Sequence, residues 1–113
     1  MTELPQTLPN ATLDTVDNPQ QVKHFLVKGR VQGVGFRWYV HRKAAEIGLR
    51  GWVNNTLEGH VELVAAGEQE RLIELRVALQ KGSRGSRVDA VIEHILEDRE
   101  GENLGLFEIE GAW

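Results

Sequence analysis

An α+β sandwich, an antiparallel sheet carrying two helices on one face, is the architecture that three features of this sequence predict. Strand-like alternation and helix-like spacing of apolar residues succeed one another as strand, helix, strand, strand, helix, strand, with one more short strand at the end. The length of 113 residues, with 27% charged and 41% hydrophobic, suits one domain with a modest core. Glycines stand where this order needs a helix stop or a chain reversal, at Gly48, Gly59 and Gly82.

The opening stretch from Met1 to Gln21 holds all three prolines, no basic residue and no apolar run long enough for a signal peptide or a membrane span. It reads as a disordered tail ahead of a domain from Val22 to Trp113. The first strand is "VKHFLVKG", Val22 to Gly29, with Phe25 and Val27 on one face and His24 and Lys28 on the other. Phe36, Val40, Ala44 and Ile47 then recur at helical spacing over about Arg37 to Ile47, and Gly48 ends the run. "RGWVNNTLEGHVELVAA" reads as a hairpin turning around Leu57 to Gly59, since Trp52 and Val53 precede the turn and Val61, Leu63 and Ala65 alternate after it. In "EQERLIELRVALQKG", Leu72, Leu75 and Leu79 share one helical face, with acids at the start and Lys81 at the end as the helix dipole favours. "SRGSR" is a loop, and "VDAVIEHILE" and "LGLFEIEGA" are strands divided by the polar turn from Asp98 to Asn103. Two βαβ units in tandem make this a ferredoxin-like α/β sandwich. Many activities share that fold, so function has to be read from particular residues.

With no cysteine, disulfides and thiolate chemistry are excluded, and His24, His41, His60 and His94 lack the close spacing of metal ligands. Neither a metal nor a cofactor is expected. The formal net charge is −4, yet Lys23, Lys28, Arg30, Arg37, Arg42, Lys43 and Arg50 are opposed in the first half of the domain only by Glu46. Most of these cations are expected on solvated strand ends and helix faces; their local excess would attract an anion.

"GRVQGVGFR", Gly29 to Arg37, joins the first strand to the first helix, and glycine-rich runs entering helices commonly wrap anions. No Gly-Lys-Ser/Thr closes it, and Trp38 stands where a dinucleotide fingerprint has its third glycine. If the loop holds a phosphate, these mismatches point to something other than a nucleotide attached to it.

From Val27 to Glu62, "VKGRVQGVGFRWYVHRKAAEIGLRGWVNNTLEGHVE" resembles the acylphosphatase family. The resemblance rests on a glycine loop ending in Phe-Arg, a helix, Gly-Leu-x-Gly-Trp-Val, and Asn-Thr before a hairpin turn, at the family's spacing. The later elements follow in family order, while "KGSRGSRVDAV", the terminal "FEIEGAW" and the tail depart from its pattern. The resemblance implies metal-independent hydrolysis of the carboxyl–phosphate bond of acyl phosphates. It also implies that Arg37 binds the phosphate together with the backbone N–H groups of Gln32, Gly33, Val34, Gly35, Phe36 and Arg37, and that Asn55 orients the attacking water. Adjacent strand residues point to opposite faces, so only one of Asn54 and Asn55 can reach the site, and the family spacing picks Asn55. The partner it implies is a small acyl phosphate, with inorganic phosphate as product; neither nucleic acid nor membrane is expected, and the protein is expected to be a cytoplasmic monomer.

Such a reaction asks little of side chains. It expels a carboxylate whose conjugate acid has a pKa of roughly 4, so no general acid is needed. Catalysis becomes positioning and electrostatic stabilisation of phosphoryl oxygens, for which backbone amides freed by Gly33 and Gly35 and the planar, permanently charged Arg37 suffice. Asn55 can accept a hydrogen bond from the water without titrating, and the substrate's own phosphate is left to take the proton.

Taken singly, Gly33 and Gly35 also suit a tight turn, Arg37 a helix surface and Asn55 a hairpin turn. Trp38, Tyr39 and Trp52 are expected in packing or in the pocket wall, and the histidines have no role. An RNA-recognition domain shares the architecture, and Phe36 and Tyr39 echo its aromatic signature. That signature lies on a third strand, however, and here Val34 replaces one stacking aromatic and the net charge is negative. Acylphosphatase-like domains also open larger hydrogenase-maturation proteins that handle carbamoyl phosphate; a chain ending at Trp113 favours the free enzyme.

Overall fold

The computed structural model describes residues 20–111, so the expected tail, apart from its last two residues, lies outside them. The elements are β1 (Gln20–Arg30), α1 (Phe36–Glu46), β2 (Arg50–Asn55), β3 (Val61–Glu68), α2 (Gln69–Lys81), β4 (Arg87–Leu96), a 3-10 turn (Asp98–Gly101) and β5 (Glu108–Ile109). Gln20 and Gln21, read as the end of the tail, open β1 instead, because they pair with Glu68 and Gly67 at the end of β3.

The strands form one sheet in the order β4-β1-β3-β2-β5. Neighbours among the first four are antiparallel. β5 runs parallel to β2, with Trp52 opposite Glu108 and Val53 opposite Ile109, so the sheet is mixed rather than wholly antiparallel as expected. The reason lies in the path after β4. On its way to the far edge of the sheet the chain crosses the face away from the helices, burying Gly101 against Val22 and Ala66 of the central strands β1 and β3, and Arg50 Nη1 donates to the carbonyls of Gly101 and Leu104 at 3.0 and 3.2 Å. The expected strand "LGLFEIEGA" is thereby reduced to a bridge at Leu106 and the pair Glu108–Ile109.

The core lies between sheet and helices. Phe25 and Val27 of β1, Val53 of β2, Val61 and Leu63 of β3 and Leu72, Leu75 and Leu79 of α2 are all completely buried in it. Each such leucine contributes about 1.5–3 kcal/mol relative to exposure. Tyr39 Oη donates to the Ala78 carbonyl at 2.8 Å and Arg71 Nη1 to the Ile47 carbonyl at 2.8 Å, so α1 and α2 lie antiparallel in a fixed register. Burial holds the Tyr39 phenol above its ordinary pKa against the opposing influence of Arg42.

Lys23 is not among the cations on solvated positions, for it is buried. It shares the inward face of β1 with Phe25, and Nζ donates to Glu93 Oε2 at 2.6 Å while Arg76 of α2 bonds the other oxygen of the same carboxylate. The hydrogen bond from Lys23, aided by Arg76, holds the Glu93 carboxyl below its ordinary pKa against the opposing effect of burial. A depressed folded pKa stabilises the fold above the unfolded value, near ~4.3, and that stability is lost as pH falls through the folded value. Glu93→Ala is expected to destabilise the domain by about 3 kcal/mol near neutral pH, since two cations then face each other unneutralised, and to flatten the acid limb of its stability profile. Denaturant titrations of both proteins between pH 3 and 7 check this; parallel profiles would assign the acid sensitivity elsewhere.

Candidate active site

The loop from β1 to α1 is anchored at both ends, because Val31 and Phe36 are each only 1% exposed. Between them Gly33 and Gly35 both have φ of +75°, a left-handed conformation that costs an L-residue about 1–2 kcal/mol. A Cβ at either position would meet nothing within 4 Å. Glycine is therefore required for the backbone turn itself, rather than for clearance from neighbouring atoms. Gly35 is also the N-cap of α1, and no side chain caps the helix there. The N–H groups of the first turn lack intrahelical acceptors, and that turn holds no acidic residue, so the positive end of the helix dipole opens into the loop.

A cavity lies at this point, lined by Val31, Gly33, Gly35, Phe36, Arg37, Trp38 and Asn55. Its volume of about 190 Å³ corresponds to about six waters at ~30 Å³ each, room for a phosphoryl group with a water beside it. The fold thus brings Arg37, Asn55, Gly33, Gly35 and Phe36 together. Gln32 and Val34 do not line the cavity: Val34 packs against the core, and the Gln32 side chain turns to the hairpin.

Arg37 is 9% exposed, and Nη1 donates to the Glu110 carbonyl at 3.1 Å. Glu110 is held in turn by its own N–H, which donates to the Val53 carbonyl at 2.8 Å. The parallel pairing of β5 therefore sets the position of the guanidinium. Asn55 ends β2 opposite Val61 and lies on the same face as the buried Val53. Its Oδ1 is buried with no hydrogen-bond partner among the described residues, which costs about 1–3 kcal/mol unless a ligand or water donates to it. Asn54 points elsewhere: its Oδ1 accepts the Asn55 N–H at 2.8 Å and packs against Gly111.

Gln32 acts through its side chain, a role the sequence did not signal. Nε2 donates to the carbonyls of Thr56 and His60, both at 2.8 Å, and so ties the glycine loop to the two ends of the turn that follows Asn55. Trp38 is a cavity wall, Tyr39 bridges the helices, and Trp52 packs with Val22, Val64 and Ala66 on the far face of the sheet. His24 lies near Glu62 at 3.4 Å, well away from the loop and on the far face of the sheet. Among the described residues the cavity lining includes no carboxylate side chain and no imidazole. No helix among the described residues is long and apolar enough to cross a membrane.

The sequence model of the acylphosphatase family matches residues 23–109. An acylphosphatase of Koribacter versatilis (strain Ellin345) is 45% identical over 108 residues, covering 95% of this chain and 96% of that one. Among solved structures, an acylphosphatase from Coxiella burnetii matches with a TM-score of 0.76 at 36% identity, over 84% of this chain and 96% of that chain. An acylphosphatase from Bacillus subtilis matches with a TM-score of 0.75 at 34% identity, over 82% and 100%.

Proposed function

The chain belongs to the acylphosphatase family, and on that premise we propose that it hydrolyses acyl phosphates to a carboxylate and inorganic phosphate. The phosphoryl group sits in the cavity at the start of α1, where the loop and first-turn N–H groups and the Arg37 guanidinium meet its equatorial oxygens. Asn55 accepts a hydrogen bond from a water in line with the carboxylate. The water oxygen attacks phosphorus, the bond to the acyl oxygen breaks with its electron pair leaving on the carboxylate, and the water proton passes to a phosphate oxygen. The observation that carries this reading is the buried, unpartnered Oδ1 of Asn55 in the same small cavity as Arg37 and the uncapped helix start. An idle acceptor is what a positioned water would satisfy. All of these groups come from one chain, which supports catalysis by a monomer.

The test compares benzoyl phosphate with p-nitrophenyl phosphate, with and without EDTA. Benzoyl phosphate should be hydrolysed at the same rate in chelator, and the monoester should turn over poorly, because its leaving oxygen is more basic and the described lining residues offer no acid. Inorganic phosphate should inhibit competitively and raise the Tm, adding about 2.7 kcal/mol at ~100 times its Kd. Activity abolished by EDTA and restored by magnesium would overturn the reading.

A further inference from the structure

On the face of the sheet turned away from the helices, His94 of β4 stands directly opposite His24 of β1, and Glu62 of β3 lies diagonally across from His24, opposite Leu26. Three side chains able to ligate a metal are thus gathered on three adjacent strands. Their spacing along the chain gives no hint of it, because the pairing of the strands makes the cluster. His24 Nε2 and Glu62 Oε2 are 3.4 Å apart. That is long for a hydrogen bond, yet two donors held at about 2.1 Å by one tetrahedral ion also stand about 3.4 Å apart. No lysine or arginine pairs with Glu62 among the described residues. The ring centroids of His24 and His94 are 6.5 Å apart, and two imidazoles on one such ion would bring theirs to about 5 Å. Among the described residues no three ligating groups already close around one point, so the site forms only when His94 swings inward by about 1 Å or a little more. His94 is exposed on an edge strand and free to do so. Buried Val64 and half-buried Leu26 and Ile92 floor the cluster with no polar side chain to compete for the imidazoles.

We propose that His24, His94 and Glu62 bind one divalent transition-metal ion, zinc or copper(II), with solvent completing its coordination. Two imidazoles and one carboxylate suit these ions, whereas magnesium and calcium take oxygen ligands. The ion ties β4, at the edge of the sheet, to β1 and β3, and so stabilises the fold. None of the three residues lines the small cavity, so the ion takes no part in hydrolysis, and the insensitivity of hydrolysis to chelator stands beside it. The inference does not depend on the hydrolytic reading.

The test titrates the full chain with zinc chloride by calorimetry, without chelator or phosphate, and follows the Tm and the rate of benzoyl phosphate hydrolysis. Zinc is expected to bind with a stoichiometry of about one, to raise the Tm where magnesium does not, and to leave the rate unchanged. His24→Gln and His94→Gln should each weaken zinc binding by about tenfold or more, Glu62→Gln by less, and His41→Gln and His60→Gln not at all. His24 is half-buried and His94 exposed, so these variants are expected to fold, and a metal-free Tm close to that of the unmodified protein checks it. A second measurement needs no variant: substoichiometric copper(II) should broaden the imidazole NMR signals of His24 and His94 ahead of those of His41 and His60. No rise in Tm at millimolar zinc, zinc binding that survives in His24→Gln/His94→Gln, or copper broadening that falls first on other histidines overturns the proposal and leaves the hydrolytic reading untouched. An unmodified protein that binds zinc at these residues but hydrolyses no benzoyl phosphate overturns the hydrolytic reading alone and supports the metal site.

Discussion

Asn55→Ala is expected to lower turnover of benzoyl phosphate by about 10²-fold or more while leaving inhibition by inorganic phosphate nearly intact. The substitution removes the acceptor proposed to hold the attacking water. It leaves Arg37, Gly33, Gly35 and the start of α1 in place, so a phosphoryl group held there as proposed should still bind. Its effect on stability runs the other way. A buried Oδ1 with no partner is a cost carried by the free protein, and its removal should leave the Tm unchanged or slightly raised. Activity lost at full stability is the signature of a functional group rather than a structural one. Asn54→Ala is the internal control and should retain most activity, because the Asn54 side chain is turned onto the Asn55 N–H and Gly111 and does not line the cavity. Inactivation by Asn54→Ala with an active Asn55→Ala would move the water-orienting role by one residue and undo the mechanism.

Arg37→Ala should behave differently in every measurement. The guanidinium is proposed to meet phosphate oxygens in the ground state and in the transition state, so its loss should weaken phosphate inhibition together with turnover, by roughly 10²–10³-fold in kcat/KM. Stability falls as well, by about 1–3 kcal/mol, because the Glu110 carbonyl loses its donor and a nearly buried side chain leaves a void. Arg37→Lys separates the two causes: it keeps the charge but cannot hold the Glu110 carbonyl and two phosphate oxygens in one planar fork. Partial recovery of phosphate binding with little recovery of turnover is the expected result. Full activity in Arg37→Lys would reduce Arg37 to a point charge, and unaltered phosphate inhibition in Arg37→Ala would remove it from the site.

Much of the site was legible because it is written in local rules. Left-handed backbone at Gly33 and Gly35 is something glycine alone adopts freely, and a helix beginning at Phe36 follows from apolar spacing and from the stop at Gly48. Strand alternation separated Asn54 from Asn55, and the pairing of Val53 with Leu63 on the helix side of the sheet agrees with that separation. The family motif supplied the roles. Composition alone would have left a glycine turn, an arginine and an asparagine with three separate and ordinary explanations.

What the sequence by itself determined is therefore the order of elements, the inward faces of β1, α1 and α2, and the glycine stretch that lines the small cavity, since each depends on periods and torsions within a few residues. What only the tertiary structure decided are contacts between residues far apart in the chain. The parallel run of β5 brings the Glu110 carbonyl to Arg37 across 73 positions, the Gln32 side chain reaches 24 and 28 positions to lock the hairpin, and Glu93 neutralises Lys23 from 70 positions away. Lys23 shows the reason. On an inward strand position a lysine contradicts the alternation around it, and nothing in its neighbourhood announces that a carboxylate from another strand and a guanidinium beneath a helix will meet it there. Burial of a charge is tolerable only once its partners are in place, and those partners are set by how the strands close against one another, a property of the whole sheet that no local pattern encodes.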